Sequence, residues 1–377
     1  MNGPFYARPG GWDDLGRSHY LDGTREPGVA PRHGFFLTKV IGGATGSVHF
    51  RERDESLLSA SESIHLRYRF MLGLEPKTVE NARFPEPLLK MNKMSQATAR
   101  VPVALTIAGF DPSSGAGITA DLKTFSAHGI YGVACISALT VQSTLGVRRV
   151  EPLPPILVRQ TLECLAEDLA FSGIKIGMLG SSAVAREVSS FLAAQASVIA
   201  RERIVLDPVV RSTSGAPLIE GDGIRVIREQ LLPRVGWITP NVHELVLLAG
   251  EGAVAAGTFA REQIPAAAVR LKEISSRLGN DELNVVVTGG HLDRPDDFLL
   301  TASGEQLWLP GEQIVTNATH GTGCAFSSAL LCGLISGRFP RQAVTAAKAY
   351  VTEALRSAYP VGKGKGPMDH LFRFRPL

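Results

Sequence analysis

The pattern of apolar and polar positions changes near residue 95. Downstream, short apolar runs alternate with longer stretches of helical spacing. Upstream, residues 1–94 carry Arg, Gly, Pro and single aromatics with no sustained period of 2 or 3.6. The regular part predicts strands over 103–108, 131–141, 174–179, 204–210, 237–239 and 285–287, each a compact run rich in β-branched residues or Leu. Helical spacing predicts helices over 115–128, 154–170, 183–199, 266–278, 323–336 and 341–358. Within 154–170, Leu157, Leu162, Leu165 and Leu169 fall on one side. Segments 298–301, 306–309 and 313–316 read as a hairpin and a neighbouring strand. In the upstream part only 55–74 reads as a short helix.

Strands alternating with helices of this length predict an α/β domain with a mostly parallel sheet covered on both faces. Roughly 275 residues suffice for one such domain. In an open sheet of this kind ligands gather beyond the carboxyl ends of the strands. The turns at 109–117, 142–146, 207–215, 241–244, 289–290 and 319–324 are therefore expected to line one cleft. Residues 1–94 are read as a largely disordered extension. The working protein is expected to start at Met91 or Met94, with the upstream part an extension or a misassigned start.

Composition narrows the function classes. The net charge of +3 gives no basic excess for a nucleic-acid partner. No apolar run reaches the roughly 18 residues that span a bilayer, and no secretory h-region precedes the domain. Cys135, Cys164, Cys324 and Cys332 form no CxxC pair, which points to a reducing, cytoplasmic compartment rather than a disulfide framework or zinc site.

Three motifs carry candidate chemistry. Thr319-His-Gly-Thr-Gly-Cys324 precedes an apolar helix. Its glycines allow close backbone approach, and unpaired N–H groups at the helix start form an anion hole suited to a phosphoryl group in transfer. Cys324 at that end is expected to have a lowered pKa and to accept a proton from a substrate hydroxyl. The alternative is a Gly-rich turn before a core helix with a buried Cys. The run from Ala108 to Asp121, rich in Gly and Ser, follows a strand and opens a helix; it is either a ligand-approach turn or only a turn. Thr239-Pro-Asn-Val-His-Glu244 fits a helix capping box, and it also offers Glu244, directly or through water, to a magnesium ion. The two readings are compatible. Asp207 at a strand end is a further metal-side acid, and Gln142 has the paired donor and acceptor to read a planar heterocycle.

Taken in order, these stretches resemble hydroxymethylpyrimidine/phosphomethylpyrimidine kinase of thiamine biosynthesis. The matches include Leu105-Thr-Ile-Ala-Gly109, Asp111-Pro-Ser, Gly115-Ala-Gly-Ile, Lys175-Ile-Gly-Met-Leu179, Leu206-Asp-Pro-Val209, Thr239-Pro-Asn241, Gly289-Gly-His291, His320-Gly-Thr-Gly-Cys324 and Ala347-Lys-Ala-Tyr350. The resemblance spans about Val103 to Phe372. It implies a ribokinase-like three-layer α/β/α fold over 95–377, transfer of phosphate from ATP with Mg²⁺, and a homodimer. It implies that Gly109, Asp121, Gln142, Met178 and Val209 surround the pyrimidine. Asp207 and Glu244 would face the metal, and Asn241, Thr288, Gly290 and Arg211 the nucleotide. Gly321, Thr322 and Gly323 would form the anion hole, with Cys324 as base.

Three positions depart from that family. Thr288 stands before Gly289-Gly290 where the family has Lys. Phe110 replaces a small residue beside the pyrimidine loop. Arg211-Ser-Thr213 replaces a stretch that usually contains Lys, and Arg211 is expected to restore the missing charge. Residues 1–94 are too short for the thiamine-phosphate synthase barrel to which some relatives are fused. A pyridoxal or pyridoxine kinase is the second enzyme reading, and a non-catalytic pyrimidine or nucleotide binder is the reading from another class.

Overall fold

In the β-strands from Val103 onward, alternate residues enter two different cores, which is what a sheet buried on both faces requires. Leu105 and Ile107 pack into one core, and Ala104, the residue before them, packs into the other. Ile204 and Leu206 oppose Val205 in the same way, and Val285 and Val287 oppose Val286. The computed structural model describes residues 39–41, 44–46, 101–212, 215–219, 222–250, 261–290 and 292–375. The chain divides into two units, Met1–Asn92 and Lys93–Leu377. In the first unit the described residues form an antiparallel pair, β1 (Lys39–Ile41) and β2 (Ala44–Gly46). The helix expected over 55–74 lies outside the described residues.

The second unit is built on a nine-stranded sheet in the order β11-β10-β9-β8-β7-β6-β3-β4-β5. Its strands are β3 (Val103–Phe110), β4 (Tyr131–Ser143), β5 (Gly146–Pro152), β6 (Gly173–Ile176), β7 (Ile204–Leu206), β8 (Trp237–Ile238), β9 (Asn284–Val287), β10 (Asp297–Leu300) and β11 (Gln306–Leu309). The six strands from β9 through β4 are mutually parallel, and antiparallel strands close both edges. One face carries α2 (Pro155–Asp168), α3 (Ser182–Ala194), α4 (Gly223–Val226), α5 (Val242–Ala249) and α6 (Ile264–Arg277). The other carries α1 (Gly117–Ala127), α7 (Thr322–Ile335) and α8 (Pro340–Arg356).

The structure corrects the sequence reading in four places. Segment 313–316 is not a strand. The buried stripe of α2 runs through Val158 and Leu162, while Leu157 is 46% exposed. β7 stops at Leu206, because Pro208 has no N–H to continue the ladder. β5, which pairs along β4, and α4 with the wide turn Ile227–Leu231 behind it had no counterpart in the reading. No helix among the described residues is long and apolar enough to cross a membrane.

Candidate active site

The carboxyl ends of β3, β6, β7, β8 and β9 open into one cleft of about 630 Å³. The start of α7 forms its floor. Gly321 caps that helix at φ 82°, in the left-handed region. A Cβ there would lie 1.9 Å from the Gly115 carbonyl oxygen, so both the dihedral and the close approach require glycine. Thr322, Gly323 and Cys324 of the first turn line the cleft, and N–H groups at a helix start have no intrahelical partner. This loop is tied to the turn before α1 through His320. The His320 Nε2 lies 2.8 Å from Asp111 Oδ2 and 2.9 Å from the Gln142 side-chain amide. Asp111 in turn accepts the backbone N–H groups of Ser113, Gly115 and Ala116 and the Ser113 hydroxyl. Burial works to raise the Asp111 pKa, but the hydrogen bonds from His320 and Ser113 and the charge on His320 lower it to about 2.

Cys324 is half-buried at the cleft wall. Its thiol is not acidified as the helix position suggested. Loss of hydration pushes it up to about 12, and nearby Asp207 and Asp121 add to this against Lys175 and the Gly117 backbone N–H. The Cys324 thiol donates a hydrogen bond to Asp207. Desolvation raises Asp207 to about 6 despite Lys175, and its Oδ2 accepts the Ser327 hydroxyl at 3.2 Å.

Glu244 closes the capping box that its motif predicts. Asn241 Oδ1 accepts the Glu244 N–H, and the Asn241 N–H donates to Glu244 Oε2, each at 2.9 Å, which is a complete capping box for α5. Glu244 also lines the cleft, and burial followed by repulsion from Asp207 raises it to about 8. Asp207 and Glu244 are the two acidic side chains beside each other in the cleft that could hold a hard divalent cation together with water or phosphate oxygens. Among the described residues no group of three or more His, Cys, Asp or Glu is arranged to hold a metal by itself.

Gly109, Gln142, Met178 and Val209 line the cleft with Phe110. Asn241, Thr288, Gly290 and Arg211 line the part toward β8 and β9. Asp121 does not reach the cleft. It is fully buried, with Oδ1 accepting from Ser328 at 2.8 Å and Oδ2 from Thr106 at 2.6 Å and Lys175 at 2.9 Å. All three bonds are to interior groups and Asp121 is not among the residues lining the cleft, where the resemblance placed it against the substrate. The burial of Lys175 works against its charge, but the carboxylates of Asp121 and Asp207 raise its pKa. The sequence reading assigned no role to Asp111, His320, Lys175 or Lys348. Lys348 joins the far end of the cleft with its Nζ on Asp297 Oδ2 and the Pro295 carbonyl, both at 2.8 Å. His291 and Thr213 lie outside the described residues.

The sheet order, the glycine-capped helix at the floor of the cleft and the carboxylates beside it define a small-molecule kinase of the ribokinase-like class. Solved structures agree. The pyridoxal kinase from Staphylococcus aureus in complex with ADP superposes with a TM-score of 0.63 at 29% identity, covering 74% of this chain and 96% of that one. The phosphomethylpyrimidine kinase of Clostridium difficile 630 superposes with a TM-score of 0.56 at 32% identity, covering 67% and 99%. In sequence, the hydroxymethylpyrimidine/phosphomethylpyrimidine kinase of Haemophilus influenzae is 36% identical over 277 residues, 72% of this chain and 97% of the relative. The phosphomethylpyrimidine kinase family pattern matches residues 111–369. The chain belongs to the phosphomethylpyrimidine kinase family.

Proposed function

We propose that this protein transfers the γ-phosphoryl group of ATP to 4-amino-5-hydroxymethyl-2-methylpyrimidine and then to the resulting monophosphate, a step of thiamine biosynthesis. The observation that carries the reading is the Gly321-capped start of α7, which aims N–H groups at the cleft beside Cys324 and between the acceptor and nucleotide ends. Gly109, Gln142, Met178 and Val209 hold the ring, and Gln142 is oriented by Thr140 and His320. Asn241, Thr288, Gly290 and Arg211 hold the nucleotide. Arg211 is exposed and supplies positive charge near the phosphates where Thr288 cannot. Asp207 and Glu244 would hold Mg²⁺, which neutralises phosphate charge when bound.

The chemistry is in-line displacement, for which positioning and charge neutralisation supply most of the rate. The acceptor oxygen bonds to phosphorus, the bond to the β-phosphate oxygen breaks, and the acceptor proton passes to Cys324. Only the thiolate can take it, so Cys324 first gives up its own proton to solvent, and the charge on Lys175 favours that thiolate. A homodimer belongs to the same reading, with Leu139, Val141 and Leu145 exposed on β4 and its turn as the face it would cover.

The test offers the protein hydroxymethylpyrimidine, its monophosphate and pyridoxal in parallel with ATP and Mg²⁺, and identifies products by mass spectrometry. Pyrimidine mono- and diphosphate are expected. Pyridoxal phosphate alone would refute the substrate. Cys324→Ala is expected to lose about 100-fold or more in kcat with substrate still bound; undiminished turnover would remove Cys324 from the mechanism.

A further inference from the structure

When the acceptor is itself a phosphate ester, two highly charged phosphate groups must meet in a cleft that already contains Asp207 and Glu244. The start of α7 can neutralise the group in transfer, but the acceptor's own phosphate needs separate positive charge. Three lysine or arginine side chains line the cleft: Arg211, Lys348 and Lys365. Lys348 sits at the β9–β10 end, and its charge is matched by Asp297. Arg211 follows β7 at mid-sheet.

Lys365 stands at the opposite end, and the chain around it is anchored there. The Gly364 N–H donates to Thr144 Oγ1 at 3.2 Å, just beyond Gln142 in the β4–β5 turn. The Gly366 carbonyl accepts the His320 N–H at 3.1 Å. A Cβ on Gly364 would lie 2.0 Å from the Thr144 carbonyl oxygen, so the glycine lets this segment press onto the hairpin. The backbone of Lys365 is thus held between the turn that carries Gln142 and the loop that leads into the anion hole. Its side chain is exposed, faces the cleft and makes no ion pair with any described residue.

We propose that Lys365 binds the phosphate of the phosphorylated acceptor and so gives the monophosphate its hold on the same cleft; this rests on the monophosphate being a substrate, as proposed above. A single ammonium–phosphate contact at a solvated rim changes affinity by about tenfold. The ring contacts are made elsewhere, so the unphosphorylated alcohol does not depend on Lys365.

Calorimetric titration of the full chain with hydroxymethylpyrimidine and with its monophosphate tests this. Lys365→Gln is expected to raise the Kd of the monophosphate about tenfold and to leave that of the alcohol within about twofold. Lys365→Arg should keep monophosphate binding. Lys363→Gln, an exposed neighbour that does not line the cleft, should change neither. Equal weakening of both ligands, an unchanged monophosphate, or no monophosphate binding by the wild type would each overturn the assignment. Titration needs no turnover, so a protein that binds both ligands but transfers no phosphate would refute the proposed activity and leave the role of Lys365 decided on its own evidence.

Discussion

Asp121 and Lys175 are both at zero exposure, and each answers the other's charge inside the protein. Removing one member of such a pair strands a charge, which costs about 3–5 kcal/mol. Lys175→Met alone is therefore expected to destabilise by that amount in urea unfolding. Adding Asp121→Asn should restore much of it, because a neutral amide can keep its bonds with Thr106 and Ser328. Equal losses in the single and double variants would contradict the pairing argument. The position of Lys175 was open to a strict period-2 reading. Ile174 and Ile176 face one core, so Lys175 must face the other side with Thr106, whose neighbours Leu105 and Ile107 show the same alternation. The identity of its partner was not open, since Asp121 comes from a helix 54 residues away in the chain.

At the scale of elements, loop-to-helix junctions carry the site. Gly321→Ala puts a Cβ into a left-handed residue and against the Gly115 carbonyl. A loss of roughly 2 kcal/mol or more is expected from strain and overlap together, with phosphoryl transfer falling further because the N–H groups of α7 are displaced. Thermal unfolding and kcat on the same sample measure both effects. The turn before α1 rests on Asp111, whose pKa is held near 2 against an ordinary 3.8. A carboxyl depressed by folding adds stability that is fully present above its unfolded pKa and is lost as pH falls through the folded one. The stability difference between wild type and Asp111→Asn should therefore be constant above about pH 5 and shrink on going toward pH 2. Urea midpoints as a function of pH give the curve; a flat difference down to pH 2 would argue against the network. The capping box at Asn241 was legible because its spacing is local. The strand β5 was missed because its charged run, Arg148 to Glu151, lies at a half-exposed edge and shows little apolar alternation.

For the whole molecule, the second unit contains the complete sheet and cleft. Its β4–β5 edge leaves Val141 at 56% and Leu145 at 65% exposure. Sedimentation is expected to show a dimer, and Val141→Asp to shift it toward monomer by placing a charge on the face to be covered. A monomeric wild type would remove the homodimer from the proposed function.

The alternation of strands and helices, the turns that line the cleft and the Gly-rich start of α7 were determined by the sequence alone, because each depends on short-range periodicity or on backbone freedom that a few neighbouring residues settle. Which charges meet was decided only by the tertiary structure. Desolvation raised the Cys324 thiol where the helix start had suggested a lowered pKa, and the meeting of β3, β6, α1 and α7 placed Asp121 in the interior. Both outcomes depend on how much water each group loses and on partners far away in the chain, and neither quantity is written in local spacing.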